Sequence, residues 1–502
     1  MAVALSGFPQ TEPPDILALL GRSDAGVALE ETERCVRYSE LGASVRALSG
    51  ALAGHGVAPG DRVAVMLPNS AVSVELYLAC VLLGAIWVGI NPAAPRAERD
   101  RQCALVTPTL IVTTNGPASP PASGRVVELD ALMGHHAEAS DAPLEPTAPC
   151  AIGFSSGTTG TPKAIVHSRA AVSLVAAVLA ETQVRAGDRV GVILPMSIHN
   201  LIAVGALPAL FAGATCVAID RMNAAGVATA CRDRRLTLLN ALVPATIYDL
   251  VHDDAIPPGM LSSLRFAGTG AAGLSEGLRA DFEAKFGVRL VGTYGMTEAP
   301  GVVCAEDPDV PHVPGASGAP LPHLVVGACD DRGGRLAAGQ EGELLVCAAD
   351  TGEWADLYRP AIGLWAGDGL VPRAADERCF RTGDYGRIDT DGTVHVTGRR
   401  ADVIVRGGVN VNAAELESVL GQLSGVRDVA VVGAHDERLG QRIVAFVEPS
   451  PGVSLDAGQL RGEAREVLSH GKVPDEFVVG VLPRNAMGKV VRTSLTATPS
   501  ED

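Results

Sequence analysis

Short apolar runs rich in β-formers alternate with segments of helical period over the first 325 residues, and this alternation restricts the fold more than any other feature. Residues 38–52 and 71–83 carry apolar side chains at helical spacing. Between and after them, residues 62–67, 85–90, 110–114, 190–194, 237–242 and 264–267 read as strands bounded by turn residues. Strand–helix alternation of this kind predicts βαβ units and largely parallel sheets. After about residue 325 the helical segments stop. Residues 324–327, 343–347 and 393–397 are short strands separated by Asp/Gly turns, which predicts a small β subdomain over about 325–398. From Asp402 helices return: 413–423 and 455–468 flank strands 428–433 and 442–448. The expected fold class is therefore α/β. A large N-terminal domain, 1–398, carries parallel sheets and the β subdomain. A hinge at 399–402 and a small, mobile α+β C-terminal domain at 403–502 follow. No internal repeat is visible.

The length agrees with more than one core, since 502 residues exceed what a single domain usually holds. A net charge of −17 argues against general nucleic-acid or anionic-membrane binding, so a site for an anionic ligand needs local cations such as Lys163, Arg399 and Lys489. The ten cysteines form no Cys-x-x-Cys pair and accompany no histidine cluster, which disfavours a metal site or a disulfide framework and points to a reducing cytoplasm. No basic, apolar leader opens the sequence. Residues 201–219 carry no charge and approach the length of a membrane span. Pro208, Gly205 and Gly213 instead divide them into a buried helix and a buried strand, as a sheet covered on both faces requires.

Between the apolar pairs Ala151-Ile152 and Ala164-Ile165 lies Phe154-Ser-Ser-Gly-Thr-Thr-Gly-Thr-Pro-Lys163. Gly157 and Gly160 allow close backbone approach to a ligand, and Ser155, Ser156, Thr158, Thr159 and Lys163 supply donors that suit phosphate oxygens. No Gly-Lys-Ser/Thr closes it, so it is not a Walker loop. A solvated turn has the same composition.

This tract resembles the signature loop of the acyl-adenylate-forming (AMP-binding) superfamily, which includes acyl-CoA synthetases, luciferases and adenylation domains. Four further motifs follow in the family's order. Gly292-Thr-Tyr-Gly-Met-Thr-Glu298 and Arg381-Thr-Gly-Asp384 resemble its core motifs, Gly398-Arg399 its hinge signature, and Pro483-Arg-Asn-Ala-Met-Gly-Lys489 its C-terminal lysine motif. The resemblance covers essentially the whole chain. It implies that Thr297 contacts the adenylate phosphate and that Glu298 binds Mg²⁺. Tyr294 and Thr293 would lie beside the adenine, with Gly270-Ala271-Ala272, where Gly273 replaces the family's proline. Asp384 would hold the ribose hydroxyls with Arg399, and Lys489 the acyl carboxylate and α-phosphate. Taken singly, Thr-Glu reads as a helix start, Thr-Gly-Asp as a turn and Lys489 as a solvated tail lysine.

His199-Asn200 resembles the family's Pro-x-x-His segment with one extra residue, placing His199 and Asn200 beside the acyl group together with Gly292 and Met296. A helix cap reads the same. Arg406, Gly407 and Gly408 lie where the family's thiol-binding loop passes, although Ala401 occupies the hinge position that usually carries Asp or Lys. The function implied is ATP- and Mg²⁺-dependent activation of a small carboxylic acid, aryl or modest-sized acyl, as acyl-AMP, followed by transfer to CoA. A carrier-protein phosphopantetheine or an amine remains open as acceptor, as does homodimer formation. Gly268-Thr-Gly-Ala-Ala-Gly273 formally matches a dinucleotide fingerprint, so a nicotinamide-dependent dehydrogenase stays as a distant alternative, although position 293 is Thr and not an acid.

Overall fold

A computed structural model describes residues 14–495 apart from 115–123, 135–144, 156–161, 271–273, 331, 368, 374–378, 400–401, 407–408, 437 and 486–487. Ser156, Gly157, Thr158, Thr159, Gly160, Ala271, Ala272, Gly407, Gly408 and the hinge residue Ala401 thus lie outside the described residues.

Among the described residues, two large sheets dominate the N-terminal part. One has nine strands; its centre runs Arg289–Met296, Phe266–Gly270, Leu238–Leu242, Arg189–Val192, Thr215–Ala218 and Val27–Glu30, all parallel. Antiparallel strands finish both edges, Gly301–Ala305 and Ala319–Pro320 at one and Cys35–Arg37 at the other. The second sheet has eight strands and pairs Pro149–Ser155, Ile86–Gly89, Arg62–Met66, Leu110–Thr113 and Arg125–Glu128 in parallel. Its other end is antiparallel, through Lys163–Ser168, Gly363–Ala366 and Gly369–Pro372. The parallel expectation thus holds for the centres and not for the edges. The 363–372 hairpin was not anticipated, because its residues arrive from the β subdomain after a long separation.

The helix Ala71–Leu83 is buried at nearly every position, including Glu75, whose carboxylate takes a two-pronged ion pair from Arg34 at 2.5 and 2.9 Å. A charge at zero exposure persists only with such a partner. Residues 201–219 divide as expected into helix and strand, but the break falls at Gly213, which adopts a left-handed conformation (φ 75°). Pro208 sits inside the helix Leu207–Ala212, directly after a π-helical turn at Ile202–Ala206. Proline lacks the N–H that would bond the carbonyl four residues back and crowds it, so the turn widens there. Among the described residues no helix is long and apolar enough to cross a membrane.

The strands Leu324–Cys329, Gly342–Ala348, Cys379–Ile388 and Val394–Arg399 form a separate four-stranded antiparallel sheet, the anticipated β subdomain. Here the cysteine reading needs correction. Cys347 and Cys379 form a disulfide, because the strand register sets them directly opposite each other although 32 residues separate them in sequence. The other eight cysteines form no disulfide, and seven of them are buried. Beyond Asp402, the helices Ala413–Leu420 and Ala457–Val467 pack on a five-stranded sheet. Its core of Ile404, Val411, Leu416, Val431, Ile443, Ala445 and Leu460 is distinct from the core of the N-terminal sheets.

Candidate active site

The five sequence motifs converge where strands of both large sheets end. Ser155 closes its strand and pairs with Lys163, the exposed first residue of the next, so the two strands that flank the glycine-rich tract are antiparallel neighbours. Ser155 Oγ donates to Glu298 Oε1 at 3.4 Å, joining the two sheets across the site. Thr297 and Glu298 directly follow the strand Arg289–Met296, and the Glu298 backbone carbonyl accepts from Ala361 N at 2.9 Å. Gly292 N donates to Glu306 Oε2 at 2.5 Å, and Thr293 Oγ1 donates to the Thr269 carbonyl at 3.1 Å, which fixes the strand beneath Tyr294. Met296, packed against the core, pairs with Gly301 across a strand contact so close that a Cβ on Gly295 would lie 2.0 Å from the Gly301 carbonyl oxygen.

Asp384 is the hub of the second half. It is 5% exposed; its Oδ2 accepts from Tyr294 Oη at 2.7 Å and its Oδ1 from Arg399 Nε at 3.2 Å. The register that pairs Asp384 with Arg399 brings them together, and Gly383, left-handed (φ 76°) within the same strand, precedes the carboxylate. Burial, and then the Asp384 charge, push the Tyr294 phenol far above its ordinary range, so Tyr294 acts as a fixed donor. Lys489 reaches this cluster from the C-terminal domain. A Cβ on the preceding Gly488 would lie 3.3 Å from Val243, and Lys489 N is held by Asn485 Oδ1 at 3.0 Å. Burial, aided by the Arg399 charge, lowers the Lys489 ammonium to about 8, and the Asp384 carboxylate opposes the shift. An Arg427–Asp249 ion pair at 3.0 Å also bridges the two domains.

His199 is 2% exposed and stacks on His167, rings 4.5 Å apart and 9° from parallel, beside Tyr77 and Trp87. Burial holds His199 down to about 4 and His167 well below its ordinary value, so both imidazoles are neutral. Asn200 follows in the same short helix. Arg406 is committed within the C-terminal domain to Asp475 at 2.5 and 2.9 Å, far from serving as a free cation.

Three residues of the site had escaped the sequence reading. Asn69 accepts from Met196 N at 2.7 Å and donates to the carbonyls of Leu194 and Ile219 at 2.9 and 3.0 Å, fixing the loop that carries His199. His167 looked like any residue of an apolar strand. Asn240 lines a cavity against the nine-stranded sheet, with Leu179, Val204, Phe266, Val291 and Thr293 also in its wall. Its one signal was an asparagine inside the apolar run Leu238-Leu-Asn-Ala-Leu242, where strands seldom carry one. Gly268 and Gly270 lie within the strand Phe266–Gly270 and not in a turn, and a Cβ on Gly270 would lie 2.5 Å from Thr293 Oγ1. These glycines serve strand contact, which removes the physical basis of the dinucleotide fingerprint.

Two parallel α/β layers with an acid–tyrosine–arginine cluster and an inserted lysine define a nucleotide-handling enzyme. The chain belongs to the AMP-binding enzyme family: that family model matches residues 12–350 and the AMP-binding enzyme C-terminal domain matches 415–489. It is 32% identical to an indoleacetate–CoA ligase of Aromatoleum aromaticum, over 94% of each protein. A feruloyl-CoA synthase of an Amycolatopsis species is 29% identical over 94% of this chain and 95% of that one. Among solved structures, ATP-bound MatB from Rhodopseudomonas palustris superposes with a TM-score of 0.84 at 25% identity, covering 95% of this chain and 97% of that one.

Proposed function

We propose that this chain is an AMP-forming acid:CoA ligase whose adenylating arrangement has Lys489 seated beside Asp384 and Arg399. The Lys489 placement is the observation that carries the reading, because it brings a half-buried cation from the C-terminal domain to the Asp384–Arg399 cluster of the N-terminal one. ATP and CoA are the co-substrates that the family and its acid–CoA ligase relatives support.

In the first step the acid's carboxylate oxygen attacks the α-phosphorus of ATP, and pyrophosphate leaves as the acyl phosphate anhydride forms. Asp384 accepts hydrogen bonds from the ribose hydroxyls, and Tyr294 and Arg399 hold that carboxylate in place. Lys489 donates to the carboxylate and α-phosphate oxygens and stabilises the negative charge as it redistributes. Lys163 and the hydroxyls of Ser155, Ser156, Thr158 and Thr159 would donate to the departing phosphates, and Thr297 to the α-phosphate. Glu298 suits Mg²⁺. Among the described residues no set of three His, Cys, Asp or Glu could cage a metal, whereas Mg²⁺ at nucleotides takes one or two carboxylates and otherwise water and phosphate oxygens. When bound, Mg²⁺ neutralises phosphate charge. Neutral His199, fixed by His167 and Asn69, forms the wall beside the acid's carboxylate and adds no charge there.

In the second step the C-terminal domain turns about residues 399–402, withdraws Lys489 and presents the side bearing Arg406, Gly407 and Gly408 to the CoA thiol. The thiol sulfur attacks the acyl carbon and AMP leaves. Carboxylate-dependent pyrophosphate release over a panel of aryl and aliphatic acids, with and without CoA, tests the reading. Release raised by CoA, with the thioester seen by mass spectrometry, supports it. Accumulating acyl-AMP that ignores CoA would assign a carrier protein or an amine as the acceptor instead.

A further inference from the structure

The strand Leu238–Leu242 is irregular where it meets the cavity. Its register against Phe266–Gly270 shifts between Leu239 and Leu242, and Ala241 adopts φ 60°, a left-handed conformation that is strained for a non-glycine residue. Such a bulge re-aims the side chain beside it. The re-aimed residue is Asn240, whose Nδ2 donates to the Val204 carbonyl at 2.9 Å. That carbonyl lies four residues before Pro208, which has no N–H to give it, inside the π turn Ile202–Ala206. Two departures from regular backbone, one on a strand and one on a helix, therefore meet through one carboxamide.

Holding Val204 uses only the nitrogen end of that carboxamide. Because Nδ2 is committed to a carbonyl oxygen, the orientation of the amide is set, and Oδ1 accepts no hydrogen bond from the protein. An acceptor left unpaired in a wall otherwise rich in Leu179, Val204, Phe266, Val291 and Val302 is costly unless a ligand supplies a donor. Thr293, also in the cavity wall, precedes Tyr294 on a strand two places away in the sheet, about 10 Å at ordinary strand spacing. A substituted aryl acid spans that length.

Resting on the ligase reading above, we infer that Asn240 is a specificity-determining residue that selects acids bearing a hydroxyl or N–H donor at the end remote from the carboxylate. The donor pairs with Oδ1; a hydrocarbon acid of the same shape leaves it unpaired. Matched probes test this: 3-(4-hydroxyphenyl)propanoate against 3-phenylpropanoate, and indole-3-acetate against its N-methyl derivative, each read as kcat/KM for pyrophosphate release. Wild type should favour at least one donor-bearing acid by about 10–100-fold, the discrimination expected of one buried unpaired acceptor. Asn240→Leu, close in shape, should reduce that ratio to within about threefold. No preference in wild type overturns the inference without any variant being needed. So does an Asn240→Leu enzyme that keeps the preference, or one that loses both acids equally, since Asn240 would then only hold the Val204 carbonyl. Absence of pyrophosphate with every acid, including simple aliphatic ones, removes the ligase reading and this inference with it.

Discussion

The two halves of the site are made by different means. The nucleotide side sets charged groups on paired strands of a small antiparallel sheet: Asp384 and Arg399 face each other next to a register shift at Tyr385 and Gly386, and Tyr294 caps them from the neighbouring sheet. The acyl side is built from neutral polar groups on distorted backbone: a π turn, a bulge, a left-handed alanine and two stacked imidazoles. In the proposed function phosphate and ribose are the same in every turnover, so fixed charges would serve them. An acid pocket must fit one shape, and small backbone irregularities change shape without disturbing the sheet.

Removing Lys489 should break the nucleotide side most severely. Lys489→Ala is expected to slow pyrophosphate release by about 10²–10³ while leaving thioester formation from supplied acyl-AMP nearly intact. Single-turnover assays of each half-reaction check this, and equal loss in both would mean that the lysine serves folding. Asp384→Ala leaves Tyr294 and Arg399 without their shared acceptor and should raise KM for ATP by about 10–100-fold, with KM for the acid little changed. His167→Ala should do the reverse, raising KM for the acid up to about tenfold, whereas His167→Phe, which keeps a stacked ring, should restore it.

The pH profile separates the halves again. Lys489 loses its proton as pH rises through about 8, so adenylation by the free enzyme should decline on the alkaline side, approaching tenfold per pH unit, and Lys489→Arg should abolish that limb. His199, lowered to about 4, stays neutral above that value and should contribute no limb between pH 5 and 7. The smallest effect belongs to Arg427→Ala. Its ion pair with Asp249 is partly exposed, so loss should shift the balance between the two half-reactions by no more than about fivefold.

The same contrast governs what the sequence discloses. The nucleotide side is legible because its chemistry demands residue types that stand out: glycines beside hydroxyls, an Asp after Thr-Gly, a lysine in a glycine-flanked tail. The layered fold is legible because buried parallel strands are short, continuous apolar runs. The acyl side is legible only where His199-Asn200 resembles a family segment, since Ile202–Ala206 has the composition of any buried helix, and only the missing N–H of Pro208, read together with Asn240, reveals the π turn. His167 is hidden for a similar reason: its partner His199 lies 32 positions away, on another element. The Cys347–Cys379 bond depends on a register that no local pattern encodes.

The returning hairpin at 363–372 bears on how the molecule is made. The strand Lys163–Ser168 pairs on one side with Pro149–Ser155 and on the other with Gly363–Ala366, which leaves the ribosome about 200 residues later. At roughly 5–20 residues per second, its open edge waits on the order of 10–40 s during synthesis. Throughout that interval the strand that begins with Lys163 offers unpaired backbone groups to any neighbouring nascent chain. A fragment ending near residue 350 would keep that edge open permanently, so the N-terminal layers become self-contained only once the chain has passed residue 372.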